Sequence, residues 1–409
     1  MIHVSYALYD AQGTFSKFLG TSMWSLLSHT SSAVTIHLLH DSTLSLENRR
    51  KFKQCVAGKG QKICFYDVEV LAQDSLRFLR QHLSATLQSR FTVAAFYRLL
   101  LNKVLPPEVR RVIYLDADTL PVLDIQELWD EDTGENGLAA VAEFDNTGER
   151  FSKWVCDQGR LDYRRYFNSG VLLIDRKGVF SEPDLLERAA LFLESHPECD
   201  FVDQDALNAF YGESYRKLPL KFNVFVPVRR YKGIQQIVPA IYHFDSGSLG
   251  MFVSDDCYDR LFYKTFMETP WCDVDFLMRT FHLLEMVHDQ QKTLIQQASN
   301  QAAHRQRVFC GATEDKDALA AIFAWQGTDR FVDILSCDGK VDGELLLKTM
   351  QQERGKAVFL LFLPQFAPVN YWLQQHGFQE NIDYLDGRNY LQKGQGGLEL
   401  YDALLLRLI

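Results

Sequence analysis

VIYLDADTLPVLDIQELW, residues 112–129, is the stretch on which the fold and the chemistry of this chain turn. Four apolar residues of strand character run into Asp116-Ala117-Asp118. In extended backbone, residues i and i+2 project to the same side, so both carboxylates can meet one cation at a strand end. Hard divalent metals take oxygen ligands, and Mg2+ or Mn2+ is commonly held by one or two carboxylates and completed by a substrate phosphate. An acidic turn capping the next helix is the plainer reading of the same residues.

On either side, short apolar runs alternate with stretches of helical period. Segments 2–8, 34–39, 62–66, 138–142 and 171–174 read as buried strands like 112–115, and segments 15–29, 45–57, 90–104 and 184–195 as helices. This predicts an α/β fold with a mainly parallel sheet covered on both faces, whose ligand sits beyond the carboxyl ends of the strands. Residues 255–305 lack strand signals, become polar and Gln-rich, and read as a helical connector. From Arg307 the alternation resumes: RVFCGA, a helix near 315–325, FVDILS, a helix near 343–352, AVFLLFL, a helix near 366–376, then IDYL. The expected division is therefore 1–254, 255–305 and a smaller α/β unit at 306–409.

Composition bounds the function. A chain of 409 residues suffices for two or three cored domains. With 47% hydrophobic and 23% charged residues it reads as globular rather than disordered. Its 43 basic and 53 acidic residues leave a net charge of −10, which excludes a broad grip on nucleic acid. The 8 cysteines form no C-x-x-C pair, so zinc-ribbon and thioredoxin readings fail and reduced, structural thiols are expected. No signal-peptide pattern and no apolar run of ~18 residues is visible, so a cytoplasmic location is expected.

Two chemistries use an acidic pair in this setting. Nucleotide-sugar transferases place a metal between D-x-D and the donor diphosphate. Phosphatases of the haloacid-dehalogenase type use D-x-D-x-T, which residues 116–119 also spell, and attack phosphorus with the first Asp. Those phosphatases carry the motif on their first strand, whereas here 115 residues precede it. The one candidate downstream acidic pair, Asp255-Asp256, falls in the expected connector. Context favours the transferase.

Seven segments in collinear order carry a resemblance: VSYALYD (4–10), FTVAAFYRLLLNKVLP (91–106), VIYLDADTLPVLDIQELW (112–129), RYFNSGVLLIDRK (165–177), FVDQDALNAF (201–210), LPLKFNVF (218–225) and IYHFDSG (241–247). Together they resemble glycosyltransferase family 8, retaining transferases that include bacterial lipopolysaccharide galactosyl- and glucosyltransferases and glycogenin. The resemblance implies a GT-A-like nucleotide-binding sheet. It also implies metal-dependent transfer of galactose or glucose from a UDP-hexose donor to a glycan, lipid-linked or protein acceptor.

It assigns residues as well. His243 joins Asp116 and Asp118 as third metal ligand, a set that suits Mn2+ better than the alternative, Mg2+. Asp10 touches the uridine or ribose, although locally it reads as the cap of a helix starting near Phe15. Arg98 reaches the donor sugar and an active-site carboxylate, and its apolar surroundings demand such a partner. Asn168, Asp203 and Gln204 surround the donor hexose, Gln204 nearest the anomeric carbon, and Glu143 stands where the family often has an Asp on sugar hydroxyls. The plainer alternatives are a turn at Asn168-Ser169 and helix capping by Asp203 or Asp205, and Asp205 reads as structural. Gly247 matches the family's diphosphate loop, but the Lys expected beyond it is missing from Ser248-Leu249-Gly250-Met251. Lys232, another basic side chain or the amides of residues 246–250 would have to substitute. An amide is a poor nucleophile, so Gln204 favours same-face attack over a covalent intermediate, with the departing phosphate taking the acceptor proton. A silent sugar-binding scaffold would show an eroded D-x-D, His or Gln, and none is eroded.

Residues 306–409 resemble a degenerate Rossmann-like module. One glycine, Gly311, stands where G-x-G-x-x-G has three, and Glu314-Asp315 would repel a diphosphate. Acceptor recognition or homo-oligomer formation is the expectation for it. The terminal LELYDALLLRLI is apolar but hardly basic, which leaves attachment to the inner face of a membrane as the alternative to a free cytoplasmic chain.

Overall fold

The computed structural model describes residues 1–11, 13, 15–84, 87, 92–149, 154–244, 256–278, 282, 293, 296–298, 300, 302, 305–336 and 340–390. The chain divides into two compact units between Phe276 and Leu277.

In the first unit the apolar runs pair as β1 (Ile2–Leu8), β2 (Val34–His40), β3 (Lys62–Asp67), β4 (Arg111–Leu115), β6 (Leu138–Ala142), β7 (Phe167–Asp175) and β8 (Arg216–Lys217), in the order β3-β2-β1-β4-β7-β6-β8. Among these strands β7 alone runs against the rest, pairing antiparallel with β4 and β6. A second, three-stranded sheet joins β5 (Thr119–Pro121), β10 (Ile241–His243) and β9 (Val224–Phe225). Side-chain alternation sorts the core into two layers. Ile113 and Leu115 of β4 enter one layer with Val171 and Leu173 of β7. Val112 and Tyr114 enter the other with Leu172 and Ile174. Helices α1 (Phe15–Ser28), α2 (Leu46–Ala57), α3 (Gln73–His82), α4 (Leu185–Ser195), α5 (Val202–Tyr211) and α6 (Cys257–Phe266) supply the covering faces. Those of α1, α2 and α6 enter the first layer, and those of α3, α4 and α5 the second.

Two features differ from the sequence reading. The segment expected as a helix over 90–104 is, where described, a 3-10 helix at Val93–Leu100 followed by one α-turn at Leu101–Val104. Runs of 3-10 helix this long are uncommon. Here Arg98 Nε donates back to Ala95 O at 3.1 Å while its guanidinium is drawn to two carboxylates. Strand β7 begins at Phe167, so Asn168-Ser169-Gly170 lies in a strand and not in a turn, its side chains bonded to Gln204 and Asp203 of α5. Within 255–305, Asp256 caps α6 by accepting from Tyr258 N and Asp259 N. Trp271 lies so close to α1 that a Cβ on Gly20 would come within 2.1 Å of its ring.

In the second unit β11 (Gln306–Gly311), β12 (Arg330–Asp333), β13 (Ala357–Leu361) and β14 (Tyr384–Asp386) form a parallel sheet in the order β12-β11-β13-β14. Helices α7 (Lys316–Ile322), α8 (Gly343–Gln352) and α9 (Phe366–Gln375) pack over it. Leu346, Met350 and Leu373 cover one face, and Leu319 and Phe323 the other. Both units thus have the α/β, mainly parallel architecture that the alternation predicts.

Candidate active site

The site is built where β4 hands over to β5. Asp116 N–H donates to Gly170 O at 2.8 Å, prolonging the β4–β7 ladder by one rung. The chain then turns, held by the Thr119 hydroxyl on Asp116 O at 2.8 Å. Strand β5 pairs antiparallel with β10, which sets His243 opposite Thr119, and Phe244 N–H donates to Asp118 O at 3.0 Å. His243 is thereby delivered beside the acidic pair, its Nε2 3.3 Å from Asp118 Oδ1. One ligand atom each from Asp116, Asp118 and His243 lie within 4.8 Å of one another. Two carboxylates and an imidazole are a fitting donor set for a divalent ion such as Mn2+.

Arg98 braces this group from the protein side. Its Nη2 donates to Asp116 Oδ1 at 2.9 Å, its Nη1 to Ser169 O at 2.5 Å, and its Nε lies 3.0 Å from Asp203 Oδ2. The Tyr114 hydroxyl adds a second bond to Asp116 Oδ1 at 2.8 Å, and its ring lies beneath the guanidinium. Burial works against the Arg98 charge, but Asp116 and Asp203 overcome it and hold the guanidinium firmly protonated. Burial pushes the Asp203 carboxyl up to about 6 even with Arg98 beside it. Asp118 moves the other way: burial would raise it, and His243 more than offsets that, leaving it below the ordinary carboxylate value.

Behind the ligands lies a buried amide network. Gln204 Oε1 accepts from Asn168 Nδ2 at 3.0 Å and Ser169 N–H at 2.9 Å, and its Nε2 donates to Glu143 Oε1 at 3.2 Å and to the Tyr166 hydroxyl at 3.3 Å. Both ends of that amide are taken. Asn168 Nδ2 also donates to Glu143 Oε1 at 3.1 Å. Gly170 lets β7 pass close to the ligands, since a Cβ there would stand 2.4 Å from His243 Cε1 and 2.8 Å from Asp116 Oδ2.

The fold therefore gathers Asp116, Asp118, His243, Arg98, Asp203, Gln204, Asn168 and Glu143 into one polar cluster. Asp10 is not part of its bonding. Its Oδ1 accepts from Phe15 N–H at 2.8 Å, and its Oδ2 from the Ser16 hydroxyl and Asn48 Nδ2, so it caps α1 and ties it to α2. Asp205 accepts from the Tyr166 hydroxyl and Phe201 N–H. Lys232 Nζ donates to the carbonyls of Asn146 and Thr147 at 3.0 and 3.1 Å, which engages it on the end of the short helix Glu143–Thr147. Gly247 lies outside the described residues. Asn223, on the rung before β9, was given no role in the sequence reading, although it stands in the quoted segment LPLKFNVF. Its only sequence signal is an Asn amid apolar neighbours.

Residues 7–248 match the model of Glycosyl transferase family 8, well over half of the chain. The chain belongs to glycosyl transferase family 8. Among its curated relatives, General stress protein A of Bacillus subtilis (strain 168) is 28% identical over 218 residues, 52% of this chain and 71% of that protein. The lipopolysaccharide 1,3-galactosyltransferase of Salmonella typhimurium is 28% identical over 228 residues, 52% of this chain and 62% of that protein. The lipopolysaccharide 1,2-glucosyltransferase of Escherichia coli (strain K12) is 27% identical over 218 residues, 48% of this chain and 63% of that protein. The aligned part thus spans less than two thirds of either lipopolysaccharide transferase. In fold, this family 8 chain is similar to galactosyltransferase LgtC in complex with donor and acceptor sugar analogs. The TM-score is 0.53 and the identity 20%, over 66% of this chain and 96% of that one. No helix among the described residues is long and apolar enough to cross a membrane.

Proposed function

We propose that this family 8 chain is a metal-dependent, retaining hexosyltransferase that moves galactose or glucose from a UDP-sugar to a glycan, lipid-linked or protein acceptor. The observation that carries this reading is the convergence of Asp116, Asp118 and His243 within 4.8 Å at the end of β4. The activities by which the lipopolysaccharide relatives are named support the sugar class. A bound Mn2+, or Mg2+, would be held by these three side chains and would supply positive charge to a leaving diphosphate.

The remaining steps fall to the protein. Arg98 anchors the Asp116 carboxylate and compensates the negative charge of Asp203. Glu143, Asn168 and Gln204 form a polar floor suited to hexose hydroxyls. The Gln204 amide, bonded at both ends, shapes that floor and offers no nucleophile. Attack by the acceptor on the face that the diphosphate leaves, with the phosphate taking the acceptor proton, follows from that chemistry. The chain works in the cytoplasm or on the inner face of a membrane, and residues 306–409 serve acceptor recognition or self-association beyond a catalytic region at 1–254.

A donor-hydrolysis screen across UDP-, GDP- and CMP-sugars with and without Mn2+ tests this. UDP-galactose or UDP-glucose should be turned over only with metal, and should raise Tm only in its presence. Turnover unaffected by EDTA, or stabilisation by GDP- or CMP-sugars alone, defeats it.

A further inference from the structure

The tautomer of His243 is written into the bonds of a neighbour that touches no ligand atom. His243 Nδ1 lies 3.1 Å from Asn223 Oδ1. Which atom of Asn223 faces the ring is fixed further back. Gly170 N–H donates to Asn168 Oδ1 at 2.9 Å, and a backbone N–H admits only an oxygen there. The other end of Asn168, its Nδ2, then faces Glu143 Oε1 and Gln204 Oε1. Asn223 Nδ2 donates to that same Asn168 Oδ1 at 2.8 Å, which leaves Asn223 Oδ1 for the imidazole. An oxygen accepts, so His243 Nδ1 carries a proton, and whenever the ring is neutral its lone pair is at Nε2.

Asn223 is itself pinned. Asn146 Nδ2 donates to Asn223 O at 2.9 Å and Asn146 Oδ1 accepts from Phe225 N–H at 2.8 Å, clamping the backbone that leaves the residue. The parallel pairing of Phe225 with His243 holds β9 at a fixed distance from the ring. At the far side of the imidazole, Nε2 stands 3.3 Å from Asp118 Oδ1. In the neutral ring that lone pair faces a carboxylate oxygen, an arrangement that suits two ligands of one cation.

We propose that Asn223 is a positioning residue for the metal site: the amide relay Glu143–Asn168–Asn223 holds His243 in the Nδ1–H form and aims Nε2 at the ion shared with Asp116 and Asp118. This rests on the reading of His243 as a metal ligand. Partners of this kind behind a metal-binding His typically set affinity by 10- to 100-fold.

Two measurements on the full chain test it. Nitrogen-15 NMR of the metal-free protein, at a pH where the ring is neutral, should show His243 protonated at Nδ1. A proton on Nε2 overturns the proposal without any variant. Mn2+ titrations followed by electron paramagnetic resonance should give Asn223→Leu a Kd about 10- to 100-fold weaker than wild type. Asn223→Asp keeps an acceptor for Nδ1–H but loses the donor to Asn168 Oδ1, so its Kd should fall between those of wild type and Asn223→Leu, a partial rescue that a purely structural role would not give. Equal affinity in wild type and Asn223→Leu overturns the proposal. Absence of Mn2+ binding by wild type instead defeats the metal reading of the site, and the ring tautomer then decides the positioning role by itself.

Discussion

The main sheets of the two units share a mainly parallel architecture and differ in what they do with its carboxyl edge. At the edge of the first, largely buried polar side chains are tethered to one another from the turn after β4, β7, α5, β10, the 3-10 helix and the short helix Glu143–Thr147. At the edge of the second, Thr313 bonds Asp333 at an exposed position, and Asp386 pairs with Arg388 two residues along its own chain. Topology offers a place for a ligand, but convergence of buried polar groups from separate elements makes a site.

The largest effect should come from the ligands themselves. Asp118→Asn or His243→Ala should cut metal-dependent transfer by about 100-fold or more while circular dichroism stays native. Full turnover in either variant would erase the distinction between the two edges.

A pair of glycines sharpens it. Gly170→Ala places a methyl against His243 and Asp116, and a displacement of about 1 Å there should cost on the order of 100-fold in kcat. Gly311→Ala, at the matching end of β11, meets Phe362 Cβ at an ordinary 3.4 Å and should leave turnover unchanged. Equal sensitivity of the two positions would contradict the contrast.

Buried ion pairs separate stability from function. Arg98→Met strands Asp203 and should cost about 3–5 kcal/mol of stability together with activity. Arg307→Met breaks the buried pair with Asp329 in the second unit and should cost a similar amount, about 3–5 kcal/mol, with sugar hydrolysis per folded molecule intact. Urea melts paired with activity assays read both.

The smallest effect is in acid. His37, between His3 and Tyr66, is pushed down to about 4, chiefly by burial. The native state therefore refuses a proton that the unfolded chain accepts below about 6.5. The stability tied to this neutral ring is full above that value and is lost as pH falls towards 4. His37→Gln should flatten the fall of Tm across this window, and an unchanged slope would show that another group is responsible.

Much of this was legible before the fold. Alternating apolar runs mark every long strand of the main sheet, and Asp116-x-Asp118 with His243 marks the ligands. What escaped depends on partners far along the chain. Asn168-Ser169-Gly170 has the composition of a turn, and its pairing with β4 and β6 and its bonds to Gln204 and Asp203 reach across distant parts of the chain. Strands β5, β9 and β10 have three, two and three residues, too few to show any period, yet their pairing brings His243 and Asn223 to the acidic pair. The apolar spacing of Val93–Leu100 promises an ordinary helix, since the pull of two distant carboxylates on Arg98 leaves no local trace.

The reversed strand β7 carries a consequence for how errors propagate. Val171 pairs with Leu115, so the next rung sets Gly170 against Asp116. Side chains of a strand alternate between its faces, and a slip by one residue would exchange Gly170 for Ser169 or Val171 at that rung. The same slip would move Val171 and Leu173 out of their layer and into the one that Leu172 and Ile174 fill. Registry in the sheet and assembly of the ligands are thus one event, and a chain mispaired at β7 has no route to being folded yet merely slow.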